Sequence, residues 1–107
     1  MQVSLEEFKN FQFRVAEIQK VTPHPNADRL YVLTVRVGEA EKTIVAGIRK
    51  HYGEEELRGK KVIIVDNLAP ATIRGIESQG MVLAASEGET LTLIVPERPT
   101  SSGTPVR

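Results

Sequence analysis

Between Leu30 and Val37 the chain alternates, with Tyr31, Leu33, Val35 and Val37 forming one apolar face while Thr34 and Arg36 point the other way. Alternation at period two puts one face of a strand against a core and the other toward water. The turn residues Gly38-Glu39-Ala40-Glu41 follow, and Lys42 to Ala46 forms the return strand of a hairpin. Upstream, Phe11-Gln12-Phe13-Arg14-Val15 alternates in the same way, but the apolar series then passes to Ala16 and Ile18 and back to Val21, so its phase slips. A one-residue slip predicts a bulge or sharp coil in a long first strand, the device by which small barrels turn a corner. Lys61-Val62-Ile63-Ile64-Val65 is short, continuous and β-branched, as in a buried strand. Met81 to Ala85 and Leu91 to Val95 flank Ser86-Glu87-Gly88-Glu89 and predict a second hairpin. Ile48 to Leu57 reads as an irregular or helical connection, and Asn67 to Gly80 as a loop with one turn of helix.

Five or more short strands with a connection between the third and fourth suit a small Greek-key barrel, of which the OB-fold is the commonest with such an insertion. A β-sandwich would need more strands than the chain offers. The expected fold is therefore all-β: a closed five-stranded OB-fold barrel over residues 11–95 with short helical connections. Ser4 and Glu7 have the spacing of a capping box and predict a helical turn within residues 1–10, where Leu5 and Phe8 share a face. Residues 96–107 are rich in Pro, Ser, Thr and Gly and read as an extended C-terminal segment. The whole chain, 1–107, is expected to be one domain, since 107 residues with 40% apolar content hold one core.

The chain has no cysteine, which excludes disulfides, a cysteine nucleophile and thiolate metal sites. No apolar run approaches the ~20 residues that span a bilayer, and the first residues lack a secretion pattern, so a cytoplasmic location without membrane contact is expected. His24 and His51 are far apart, Glu54-Glu55-Glu56 reads as a solvated helix face, and no phosphate loop or nucleophile–base pair is present. The expectation is a non-enzyme with no catalytic residue, no metal and no cofactor. Net charge is zero, from 14 basic and 14 acidic residues, so a nucleic-acid surface requires charges segregated by face. Aromatics are few, and Phe11, Phe13 and Tyr31 fall on apolar strand faces. Base stacking along a single strand is thus poorly supported, and recognition of a folded RNA by backbone and shape fits better.

The run His24-Pro25-Asn26-Ala27-Asp28-Arg29-Leu30-Tyr31-Val32-Leu33 closely resembles the signature of the tRNA-binding domain family. That family includes free-standing tRNA-binding proteins, the C-terminal domain of many methionyl-tRNA synthetases, and the C-terminal parts of certain tyrosyl-tRNA synthetases and synthetase-associated cofactors. The resemblance continues through Phe13-Arg14-Val15, Ile44-Val45-Ala46-Gly47-Ile48, Tyr52 to Leu57, Asn67-Leu68-Ala69-Pro70, Ile76 to Met81 and the terminal Gly103-Thr104-Pro105-Val106-Arg107.

The resemblance implies an OB-fold whose N- and C-terminal additions pair two subunits, and binding of tRNA at its outer corner. It places RNA contacts on Asn26, Arg36, Ser78 and Met81, with Arg14, Arg29, Lys42 and Arg74 in support. The implied partners are tRNA, a second copy of the chain and an aminoacyl-tRNA synthetase. A branch of the same fold acts as a dimeric export chaperone that binds peptides. It lacks the His-Pro-Asn-Ala-Asp run and stands as the alternative.

Overall fold

The computed structural model describes residues 1–107. Its centre is a curled antiparallel sheet built on a long first strand, β1 (Phe13–Pro23). The outer half of β1 pairs with β2 (Tyr31–Val37), which pairs in turn with β3 (Ala40–Ala46). The other edge of β1 pairs with β4 (Lys61–Val65). The expected phase slip is a register shift between Ile18 and Lys20 in the β1–β2 ladder. It turns Ala16, Ile18 and Val21 all inward, as a bulge that bends a strand around a core does. At that bend Gly59 N–H donates to the Ile18 carbonyl at 2.7 Å, and Ile18 N–H to the Lys60 carbonyl at 2.9 Å. The connection carrying α2 (Glu54–Leu57) is thereby pinned under the sheet, and Leu57 is fully buried in the core with Ile18, Leu33, Ile44, Val62 and Ile64.

Beyond β4 the chain forms a small hairpin, β5 (Ala71–Ile73) and β6 (Ile76–Ser78), and not the expected loop with a helical turn. Ile73 pairs with Ile76 across Arg74-Gly75, whose φ values of +52° and +92° are both left-handed. That is the two-residue type I′ turn, which matches strand twist. Next, β7 (Met81–Val82) adds to β4. A second hairpin, β8 (Ala84–Glu87) and β9 (Thr90–Leu93), lies where the turn residues placed it.

The fold is all-β and OB-like, but strand ladders alone do not close it: the ladder order is β3-β2-β1-β4-β7, with β3 and β7 at its ends. Side chains supply the closure. The free edge of β3 presents the N–H groups of Thr43 and Val45, and these reach Gln79 Oε1 at 2.8 Å and Ser78 Oγ at 3.0 Å. The Gln79 N–H returns a bond to the Thr43 carbonyl at 2.8 Å. The closed five-stranded ladder expected from the strand count is thus a half-barrel zipped by two polar side chains.

The termini meet on one side. Because β2 ends at Val37, the first residues of β1 lack a partner on that edge, and β10 (Pro105–Val106) fills it, pairing with Phe13 and Arg14. In α1 (Leu5–Phe8), the Ser4 and Glu7 bonds form the expected capping box. The Ser4 backbone N–H, and secondarily its hydroxyl, hold the Glu7 carboxyl below its ordinary range. Phe13 stacks between Phe8 and Phe11, with ring centroids 5.5 and 6.2 Å away. Phe11, expected in the core, is about half exposed here, since it precedes the first paired residue of β1.

Candidate nucleic-acid interface

Two loops share one end of the sheet. The β1–β2 loop carries His24 to Leu30, and the β4–β7 connection carries the β5–β6 hairpin. In an OB-fold, the loops at these two positions and the face of strands two and three are where oligonucleotides lie.

His24 joins the two loops. It is buried, so the sequence reading of a surface or turn histidine is corrected to a buried turn histidine. Its Nδ1 faces the Asn26 backbone N–H at 3.0 Å and must accept, so Nε2 carries the proton and donates to the Ile73 carbonyl at 3.1 Å. Arg74 Nη2 adds a second tie by donating to the Asn26 carbonyl at 3.0 Å. The side chain of Asn26 is exposed and makes no internal hydrogen bond, so it is not spent on an Asx turn. Arg29 and Arg74 are exposed, with no ion-pair partner within 4 Å, and border an open concavity with Ala27, Asp28 and Leu30. Arg49, which the sequence reading did not single out, reaches the same loop: its Nη1 points at the Ala27 carbonyl at 3.5 Å and its backbone N–H at the Arg29 carbonyl at 3.3 Å. Nothing in its sequence context marks it, because only the fold brings residue 49 beside residue 29.

The remaining candidates lie elsewhere. Arg36 is exposed near the far end of β2, directly opposite Glu17 on β1 and Glu41 on β3, and its guanidinium makes no ion pair. Arg14 and Lys42 share one carboxylate, Asp66, at 3.3 and 2.6 Å, and Arg14 also donates to the Gly103 carbonyl at 3.0 Å. Both cations are therefore engaged within the fold. Ser78 is buried, accepts from the Val45 N–H and donates to the Gly80 carbonyl at 3.0 Å, so its hydroxyl is engaged within the fold. Met81, in contrast, is about half exposed on β7. Among the His, Asp and Glu residues no group of three or more is placed to hold a metal ion.

The fold is that of an OB-like module, with a candidate binding surface at one end of its sheet. The tRNA binding domain family model matches residues 13–105, and the chain belongs to that family. The model describes a binding module and not a catalytic domain. The chain is 48% identical over 105 residues to the methionine-tRNA ligase of Pyrococcus horikoshii, covering 98% of this chain and 14% of that protein. It therefore spans about a seventh of the length of the curated relatives it matches. Among solved structures, a MetRS related protein from Pyrococcus horikoshii superposes with a TM-score of 0.93 at 35% identity, covering 100% of this chain and 99% of that one. The CsaA chaperone protein from Picrophilus torridus superposes at 0.92 with 28% identity, covering 99% and 100%. No helix is long and apolar enough to cross a membrane.

Proposed function

We propose that the chain binds tRNA by the shape of its outer corner, and that it serves a methionyl-tRNA synthetase in the cytoplasm, either joined to it or acting in trans. The observation that carries this reading is the division within the candidate residues. Asn26, Arg29, Arg36, Arg74 and Met81 remain exposed, the three arginines without ion pairs, while Arg14 and Lys42 share Asp66. Zero net charge is compatible with RNA binding on this reading, because acids pair with particular cations, Asp66 with Arg14 and Lys42, Glu54 and Glu55 with Arg58 and Glu97 with Arg98, and leave Arg29 and Arg74 unpaired at one end of the sheet. The module would raise the local concentration of tRNA near the catalytic body, and a weak tethered site of this kind increases avidity ~100-fold or more when both contacts are made.

The working form is a symmetric dimer. Leu5, Phe8 and Phe11 are exposed and, with Phe13 and Val106, line an apolar concavity of about 300 Å³ between α1 and β10. An isologous contact with a second copy covers such a patch.

Competition gel shifts with bulk tRNA, duplex DNA and an unfolded peptide test the function. tRNA is expected to win, with affinity falling steeply as salt rises. Equal competition by duplex DNA would end the shape reading, and preference for the peptide would favour the chaperone alternative. Sedimentation tests the dimer: Leu5→Glu is expected to yield folded monomers.

A further inference from the structure

We propose that Arg29, Arg49 and Arg74 form one phosphodiester-binding site on the β1–β2 loop, an inference that rests on the RNA reading above. Two guanidiniums reach a single short stretch of backbone, and a third arginine stands on that stretch. Arg74 donates to the Asn26 carbonyl, Arg49 to the carbonyl of the next residue, Ala27, and Arg29 extends from the same loop. The only carboxylate within the loop is Asp28, and none of the three arginines is ion-paired to it. Each guanidinium has five N–H donors. Arg49 and Arg74 each direct one nitrogen to the loop, so most of their donors remain for an external acceptor.

Clustered like charges oppose folding unless a counter-charge joins them. The acceptor that suits planar, forked donors is a carboxylate or a phosphate. No protein carboxylate fills this role, and the open concavity of about 360 Å³ bordered by Ala27, Asp28, Arg29, Leu30 and Arg74 leaves room for one phosphodiester. Backbone conformation points the same way. Arg74 is the only non-glycine residue with positive φ, at +52°, in a turn position that asparagine or glycine fills without strain. A fold that keeps arginine there holds a strained residue where its charge is wanted. The ligand is an RNA backbone phosphate and not a free phosphate ion, because the concavity is shallow and open and offers no enclosure for a small ion.

The test is tRNA binding by fluorescence anisotropy across a salt series, using the full chain. Arg49→Ala and Arg74→Ala are each expected to weaken binding while the chain stays folded, with no more loss of melting temperature than one exposed hydrogen bond accounts for. Arg98→Ala, at the ion pair with Glu97 remote in sequence from this loop, serves as the control and is expected to leave binding unchanged. The double variant Arg49→Ala/Arg74→Ala is expected to lower the logarithmic salt slope by about one phosphate, ~0.7–0.9, because both arginines hold the same group. Asp28→Asn is expected to tighten binding. A double variant that loses two phosphates' worth of slope would show separate contacts and overturn the single site. Equal weakening by Arg98→Ala would show a diffuse field and overturn it too. Inorganic phosphate at matched ionic strength is expected not to displace tRNA; displacement would make the ligand a free phosphate and overturn the assignment. A wild-type chain that binds no tRNA defeats the functional reading itself. Wild-type binding with unaltered arginine variants defeats only this inference.

Discussion

The hydroxyl of Ser78 stands where a neighbouring strand's carbonyl would stand for Val45, accepting its buried backbone N–H at 3.0 Å. Removing it leaves that N–H without a partner, which costs about 1–3 kcal/mol. Ser78→Ala is therefore expected to lower the unfolding free energy read from urea denaturation by that amount. The affinity of the folded protein for tRNA should be unchanged, because the hydroxyl faces inward. A Ser78→Ala protein with native stability and weakened binding would return Ser78 to the RNA surface.

The C-terminal segment clasps the β2–β3 turn. Ser102 Oγ accepts from Gly38 N–H at 2.9 Å and donates to the Arg36 carbonyl at 2.8 Å. A Cβ on Gly103 would lie 2.8 Å from the Gly38 backbone, and Gly103 has a φ of +92°. Backbone cannot yield as a side chain can, so Gly103→Ala is expected to destabilise the chain by more than ~1 kcal/mol, read in a thermal melt. For the same reason, removing residues 96–107 should unfold much of the sheet and not merely separate subunits. A stable, folded truncated monomer would show that the segment serves only association.

The β2–β3 and β8–β9 hairpins, the bulge near Ile18 and the capping box were legible because each is a local pattern: alternation, phase slip and residue spacing. The β5–β6 hairpin was not, because three-residue strands around Arg74-Gly75 give too little alternation, and arginine is a poor advertisement for a left-handed turn. The roles of Ser78 and Gln79 were hidden for another reason. A side chain that closes a sheet looks, in sequence, like any polar residue in a loop. Of the candidate site, the family resemblance pointed to the β1–β2 loop, but Asp66 shared by Arg14 and Lys42, and Arg49 joining Arg29, depend on tertiary contacts that no spacing encodes.

Arg74 sets stability against binding. A left-handed conformation costs a side chain-bearing residue roughly 1–2 kcal/mol, and asparagine followed by glycine is the preferred type I′ pair. Its bond to the Asn26 carbonyl is exposed, and such a bond contributes about 0.5–1.5 kcal/mol at most. Arg74→Asn is thus expected to raise the melting temperature slightly while weakening tRNA binding. A variant both less stable and equally tight in binding would refute the view that strain is tolerated there for charge.

His24 is the last link, and its two nitrogens can be tested apart. In His24→Asn the amide oxygen takes the place of Nδ1, keeping the acceptor for the Asn26 N–H but losing the bond to the Ile73 carbonyl. In His24→Gln the amide nitrogen reaches the position of Nε2, keeping the tie to the β5–β6 hairpin but losing the acceptor. If the tie positions Arg74 over the loop, the asparagine variant weakens tRNA binding as much as Arg74→Ala does, and the glutamine variant retains most of the affinity. Combining His24→Asn with Arg74→Ala should then be strongly non-additive, with a coupling in the range of ~0.5–3 kcal/mol found for residues of one network. Combination with Arg36→Ala, at the far end of β2, should be additive. Equal losses in the asparagine and glutamine variants, with additivity toward Arg74, would leave His24 as a residue that fills space and positions nothing.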